Sequence, residues 1–386
     1  MKKILIIGAG FLQDFVIVRA RELGYYTVAI DGSPYAVGLG HADESAIIDI
    51  VDPKACYEFA KSKDIQGVLT AATDFGVLSA SYVAEKLHLP GLNYAAAKRI
   101  KNKYEVRKKL IEECADDMQE AFEVDKNTNL EVLDLHYPVM VKPCDGSGSR
   151  ATMRVNCPKD LAHACHMAMK ASLEKKALIE AFVSGNEYGA ESLVVNGEIH
   201  VLGIMKKWMT KPPYYAELGH QIPSELPAEV EYKAIECVNS TIKALDINHG
   251  AVNMDLIINE EGEVHIVDVG ARMGGNMIGP CIIPRGTGIS YMENLIKTAV
   301  GDEPNWSRKQ PENVATRLLT FKGGRIKRLP DFDALSRQYG VSIYHHMNVG
   351  DMVNEYHSNL DGCGYIVAKD SDTAETVLSI ISEYIF

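Results

Sequence analysis

Two aspartates, Asp255 and Asp268, sit in β-rich runs that read as consecutive strands: Asn253-Met254-Asp255-Leu256-Ile257-Ile258, and Glu263-Val264-His265-Ile266-Val267-Asp268-Val269-Gly270-Ala271-Arg272. If Asn259 and Gly262 close the turn between them, Asp255 lies opposite Ile266 and Asp268 opposite Asn253. Side chains alternate across a strand, so Asn253, Asp255 and Asp268 project from one face. The carboxylates become diagonal neighbours, roughly 5–8 Å apart at Cβ. Unpaired carboxylates at that range repel, and a cation between them is the natural resolution. Hard oxygen ligands suit Mg2+ (or Mn2+), which proteins hold through one or two carboxylates plus substrate phosphates. Arg272, on the same face, offers a bidentate fork to a transferring phosphoryl group. A plain strand-end salt bridge between Asp268 and Arg272 competes with this, but it leaves Asp255 without a reason inside an apolar run.

A second segment, Tyr137-Pro138-Val139-Met140-Val141-Lys142-Pro143-Cys144-Asp145-Gly146-Ser147-Gly148-Ser149-Arg150, delivers a lysine from a strand into a Gly/Ser loop. Amides of Ser147, Gly148 and Ser149 form an anion cradle, and Lys142 adds a point charge for phosphate. The lysine precedes the glycines, so this is not a Walker loop. An ordinary flexible hairpin is the alternative, although Lys142 stands in an expensive place for an idle charge. A third segment carries Glu180, Ala181, Phe182 and Val183 on a short strand that opens toward Glu187. Strand-end amides and carbonyls suit an adenine edge, and Glu187 can accept from ribose hydroxyls. Surface glutamates are common, so this segment alone decides little.

A fourth, Gly8-Ala9-Gly10-Phe11-Leu12-Gln13, turns from the first strand into the first helix. With Asp31 at the end of the next strand it suggests dinucleotide binding. Gln13 occupies the place of the third glycine, so the fingerprint is incomplete. A structural turn, or a site for a small carboxylate, is the other reading.

The elements that position these groups fall in three stretches. Residues 1–90 alternate strand and helix signals, which predicts a parallel, doubly wound sheet. Residues 93–118 look helical, and 137–195 read as strands around one helix near 158–174. Asn196-Gly197 marks a hairpin. The stretch 208–227 looks like a long loop, a helix follows near 228–245, and the metal hairpin spans 250–270. From about 306 the pattern is mixed strand and turn, ending in a helix. At 386 residues the chain exceeds one core and implies two or three domains. A net charge of −12 argues against a nucleic-acid surface. The 8 cysteines show no CxxC pair, so neither a disulfide framework nor a zinc site is expected. No apolar run reaches membrane-spanning length, and the start is too short for a signal peptide. A cytoplasmic protein without a membrane partner is expected.

Taken in order, these segments resemble the ATP-grasp superfamily, especially its carbamoyl-phosphate-synthase-like and amino-acid-ligase members. The motifs are "NKYEVRKKL", "VKPCDGSGSR", "IEAFVSGNEYGAES" and "NMDLIINEEGEVHIVDVGARMGG". The resemblance covers nearly the whole chain and implies an α/β protein of four parts: a Rossmann-like domain over 1–92, a small grasp subdomain over 93–183, a large one over 184–305, and a β-rich lid over 306–386. It implies that Lys103 and Lys142 contact ATP phosphates, that Glu180 and the backbone after it meet adenine and Glu187 the ribose, and that Asp255 and Asp268 hold Mg2+. Arg272 would stabilise the acyl-phosphate transition state, and Gly274-Gly275-Asn276 would offer amides to the acceptor carboxylate. His220 would line the acceptor pocket and Arg285 would pair with a substrate carboxylate; Thr73-Asp74 follow the fourth strand of the first domain, at the crevice where open α/β sheets bind ligands, a place for an amino group. Solvent exposure of His220 and simple turn capping by Asp74 explain those two almost as well. The chain departs from the family at Gly270, where asparagine is usual, so one metal or phosphate contact is either missing or supplied by Asn253. It also carries aspartate where glutamate is usual at both metal positions, and Asn102 where an aspartate commonly precedes the lysine.

The expected activity is that of an ADP-forming carboxylate–amine ligase acting on small metabolites, probed against two rivals. One is an NAD(P)-dependent oxidoreductase built on Gly8, Gly10 and Asp31; the other is a catalytically degenerate ATP-binding sensor. Homodimers are common among such ligases.

Overall fold

The computed structural model describes residues 1–113, 115, 118, 120–146, 151–212 and 215–386. Ser147, Gly148 and Ser149 lie outside the described residues.

The apolar runs of the first stretch form the expected parallel sheet, with strand order Glu44–Ile47, Tyr26–Asp31, Lys3–Ile7, Gly67–Leu69. Ile4 to Ile7 are fully buried, as strands covered on both faces require. Helix Pro53–Lys61 opens with proline at its first position, capped by Asp52, which accepts from the amides of Lys54 and Ala55. The glycine turn at 8–10 is already filled. Asp31 accepts from Ala9 N and Ser33 N, both at 2.8 Å, and Gln13 Nε2 donates to Ala71 O at 2.6 Å. The Asp31 carboxylate is thus spent inside its own turn instead of gripping a ribose, which removes the observation behind the oxidoreductase reading.

The helical stretch after residue 93 is two helices, Tyr94–Lys101 and Lys103–Glu112, broken at Asn102. Its side chain caps the second helix by accepting from Tyr104 N and Glu105 N, a local bond that competes with helix continuation. A small antiparallel sheet follows, ordered Ala121–Val124, Ala177–Ala181, Val139–Pro143, Met153–Val155, with helix Pro158–Ala171 packed against it.

An eight-stranded antiparallel sheet forms the centre. Its order is Val264–Gly270, Gly250–Ile258, Asn186–Val195, Glu198–Met209, Glu217–Ile222, Val314–Leu318, Gly364–Ala368, Ser342–His345. Asn196 (φ 51°) and Gly197 (φ 88°) make the expected tight hairpin turn. Two expectations change. The long loop at 208–227 is shorter, because Trp208 and Met209 belong to a strand and Glu217–Ile222 forms another. Polar side chains at Glu217, His220 and Gln221 hide that strand in the sequence; Gly219 betrays it, since a Cβ there would meet Thr316 O at 2.0 Å. The C-terminal stretch is also more than a lid: three of its strands continue the central sheet, with Gln221 opposite Ala315, and only the ribbon of Lys322–Arg325 with Met352–Glu355 stands apart. No helix among the described residues is long and apolar enough to cross a membrane.

Candidate active site

The metal hairpin pairs in a register different from the one expected. Ile258 lies opposite Val264 and Leu256 opposite Ile266, and a bulge before Asp255 then sets Asp255 directly opposite Asp268. The extra residue is Val267. Directly opposed residues share a face, so the bulge brings the two carboxylates together where an unbulged ladder would turn Asp268 away. The bulge also frees the Val267 carbonyl, which accepts from Lys142 Nζ at 2.9 Å. The neighbouring Ile266 carbonyl accepts from Arg107.

The small sheet aims Lys142 across this gap. Met140 pairs with Glu180 and Lys142 with Leu178, so Lys142 and Glu180 share a face. Lys142 Nζ lies 2.6 Å from Glu180 Oε1, and Arg107 Nε lies 3.1 Å from Glu180 Oε2. Glu180 is 5% exposed with both oxygens engaged by Lys142 and Arg107, and it lines the cleft beside Ala181, Phe182 and Val183. Burial pushes its pKa up, but Lys142 and Arg107 outweigh that and bring it down. Lys103, first residue of its helix, pairs with Asp268. Burial works against both charges, yet Lys103 is raised by Asp268, and Asp268 is lowered by Lys103 and then Lys142.

These groups open on a cleft of about 860 Å³ between the small and central sheets. Its walls include Lys103, Lys142, Ala181, Phe182, Val183, Glu187, Asp255, Asp268, Arg272, Thr73, Asp74, Gly275, Asn276 and His220. Phe182 N donates to Pro138 O at 3.2 Å, and Arg154 lies 4.1 Å over the Phe182 ring. The described lining carries 7 carboxylates against 4 Lys and Arg cations. Such an excess of negative charge repels a triphosphate unless divalent cations accompany it. Asp255 and Asp268, both hard oxygen donors facing the cleft, fit that requirement as Mg2+ ligands; no cluster of three or more metal-type side chains occurs among the described residues.

Arg272 is held from two sides. Its Nε lies 2.9 Å from Asp74 Oδ1, and its Nη1 donates to Asn253 Oδ1 at 3.1 Å. Asn253 spends its other end on Glu191, donating from Nδ2 at 2.9 Å. It therefore positions Arg272, correcting its expected role as a metal ligand. Gly270 gains a reason too: a Cβ there would stand 3.0 Å from Arg272 Cζ, so the glycine makes room for the guanidinium. Gly274 also differs from expectation, because its amide donates to Glu191 Oε1 at 2.9 Å and is not free for a substrate. Arg285 pairs with Glu312 at 3.3 Å and does not line the cleft, so its expected contact with a substrate carboxylate is not supported.

Three residues escaped the sequence reading. Glu191 is fully buried and accepts from Tyr291 Oη (2.5 Å), Gly274 N and Asn253 Nδ2; burial pushes its carboxyl up to about 7 despite those donors. Glu217 lies 3.0 Å from His220 Nδ1 and accepts from Asn276 Nδ2; burial raises it, but His220 and then Lys207 hold it at about 2. His220, 2% exposed, is thus a buried partner of Glu217 and not a solvent-facing loop residue. Lys207 faces Asp255 at 2.7 Å. Charges inside strands with apolar neighbours were the available signal.

The family model for the ATP-grasp domain matches residues 135–280. The carbamoyl phosphate synthase large chain of Clostridium acetobutylicum is 24% identical over 99% of this chain, which spans 38% of that protein. D-alanine–D-alanine ligase B of Clostridium perfringens is 29% identical over 43% of this chain and 56% of its own length. The L-amino acid ligase of Bacillus licheniformis superposes with a TM-score of 0.85, 21% identity, and coverage of 100% and 98% of the two chains. The matched segment contains Lys142, Glu180, Asp255, Asp268 and Arg272, so a lysine and the bulge-aligned aspartates that face it across the cleft all lie in a stretch similar to the ATP-grasp domain.

Proposed function

We propose that this chain is an ADP-forming carboxylate–amine ligase that activates a small carboxylate, an amino acid, as an acyl phosphate. The observation that carries the reading is the bulge that sets Asp255 opposite Asp268 beneath Lys103 and Lys142. Asp255 and Asp268 would hold Mg2+, which would supply positive charge to neutralise the phosphates. Lys103 and Lys142 steady the triphosphate by charge, and Glu187 accepts from the ribose hydroxyls. The substrate carboxylate oxygen attacks the γ-phosphorus, the bond to the β-phosphate oxygen breaks, and ADP leaves. Arg272, held by Asp74 and Asn253, meets the charge that spreads over the transferring phosphoryl group. The amine then attacks the acyl carbon, loses a proton, and expels inorganic phosphate. Glu217, which stays ionised at neutral pH, and Asn276 suit the ammonium of an amino-acid substrate, while Leu12, Ile278 and Tyr365 suit its side chain.

The test is a screen for ADP and phosphate release across amino-acid pairs with Mg-ATP. Hydroxamate formed with hydroxylamine would report the acyl phosphate. Mg-ATP binding without ADP release for any pair would favour the sensor reading instead.

A further inference from the structure

Lys207 is a buried ammonium whose role no part of the proposed reaction has used. Its side chain is 2% exposed, and Nζ faces Asp255 at 2.7 Å, Glu217 at 3.5 Å and Glu187 at 3.7 Å. The arrangement is built by the sheet. Lys207 projects from the central strand Glu198–Met209, opposite His220, and its three acids come from three other strands. An ammonium has three donors and little access to water here, so it must find acceptors on protein or ligand. Three carboxylates gathered around one lysine also leave an excess of negative charge. Burial raises the Glu187 carboxyl, Lys207 opposes that, and the neighbouring Asp255 and Glu217 charges add to it.

One of those three acids, Asp255, belongs to the pair assigned to metal. A divalent ion arriving alone must draw Asp255 away from Lys207 and strand a buried ammonium with only its two longer contacts. A metal arriving with nucleotide brings phosphate oxygens, which can accept the donors that Asp255 releases. Resting on the nucleotide-site reading above, we propose that Lys207 is the resident counter-cation of Asp255, and that it makes metal and nucleotide binding mutually dependent. The coupling is reciprocal: the factor by which nucleotide tightens metal binding is the factor by which metal tightens nucleotide binding.

The experiment uses the full chain, with Mn2+ binding followed by electron paramagnetic resonance, alone and with a non-hydrolysable ATP analogue. The wild-type protein should bind Mn2+ weakly by itself and at least roughly tenfold tighter with the analogue, within the usual range for coupled sites. Lys207→Met should bind Mn2+ alone roughly tenfold tighter than wild type and lose most of the enhancement by analogue. Lys207→Arg, which keeps the charge, should retain it. Should Lys207→Met not fold, the charge-balanced Lys207→Met/Glu217→Gln protein decides, with the same loss of coupling expected. Unchanged Mn2+ affinity together with intact coupling in the methionine variant overturns the proposal while leaving the nucleotide site standing. Absence of analogue binding in the wild type, seen as no shift in melting temperature, overturns both.

Discussion

Asp74, in the loop after strand Gly67–Leu69 of the N-terminal sheet, forks onto Arg272 beyond the metal hairpin, Oδ1 to Nε at 2.9 Å and Oδ2 to Nη2 at 3.3 Å. Two sheets far apart in sequence thereby share one guanidinium. The main-chain bond from Ala72 N to Met273 O, at 3.0 Å, ties the same two segments together. The orientation of Arg272 is thus set by a carboxylate from outside the grasp domain.

Asp74→Asn should keep the shape and lose the charge of that fork. A charge-assisted bond of this kind is worth about 1.5–3 kcal/mol. We expect kcat to fall roughly 10- to 100-fold while KM for Mg-ATP stays within about twofold. Steady-state kinetics checks this, and an unchanged kcat would show that Arg272 is held well enough by Asn253.

Lys142→Ala should lower kcat/KM for Mg-ATP by two or more orders of magnitude, because a charge aimed at phosphate is lost inside a cleft of low dielectric. Glu180 keeps Arg107 as its partner, so folding should survive. Circular dichroism alongside the kinetics separates the two effects, and wild-type kinetics in a folded variant would remove Lys142 from the site.

Glu191 predicts a pH dependence of stability. Its folded-state pKa of about 7 stands above its ordinary value of 4.5. Across the interval between those values the folded protein binds more protons than the unfolded one. Its contribution is therefore complete below about pH 4.5 and is lost as pH rises through about 7. Melting temperature should decline from pH 5 to 8 by more in the wild type than in Glu191→Gln. Parallel melting curves for the two proteins would refute the assignment.

ATP should stabilise the protein only with a divalent ion. At millimolar Mg-ATP the melting temperature should rise by at least about 3 °C through selective binding to the native state. With a chelator the excess of carboxylates lining the cleft should abolish the shift. A similar shift with and without metal would argue that Asp255 and Asp268 do not serve metal.

What the sequence determined by itself is local. Alternation along 253–258 and 263–272 places the acids on strands, a lysine before a glycine-serine loop marks phosphate chemistry, and strand–helix alternation names the first sheet. Tertiary structure decided whatever depends on residues remote in the chain. The bulge at Val267 is held where Lys142 and Arg107 donate to the carbonyls of Val267 and Ile266, contacts spanning 125 and 159 residues, so no turn rule predicts that register. Asn253 looked like a ligand until Glu191, directly across the strand pair, took one end of its amide and Arg272 the other. Lys207 and Glu217 stand beside apolar neighbours on paper, and only when neighbouring strands cover them does the one become a buried and the other a half-buried partner. Periodicity records which side of an element a residue faces; what waits on that side is set by packing, and charge pairs in a dry cleft follow the packing.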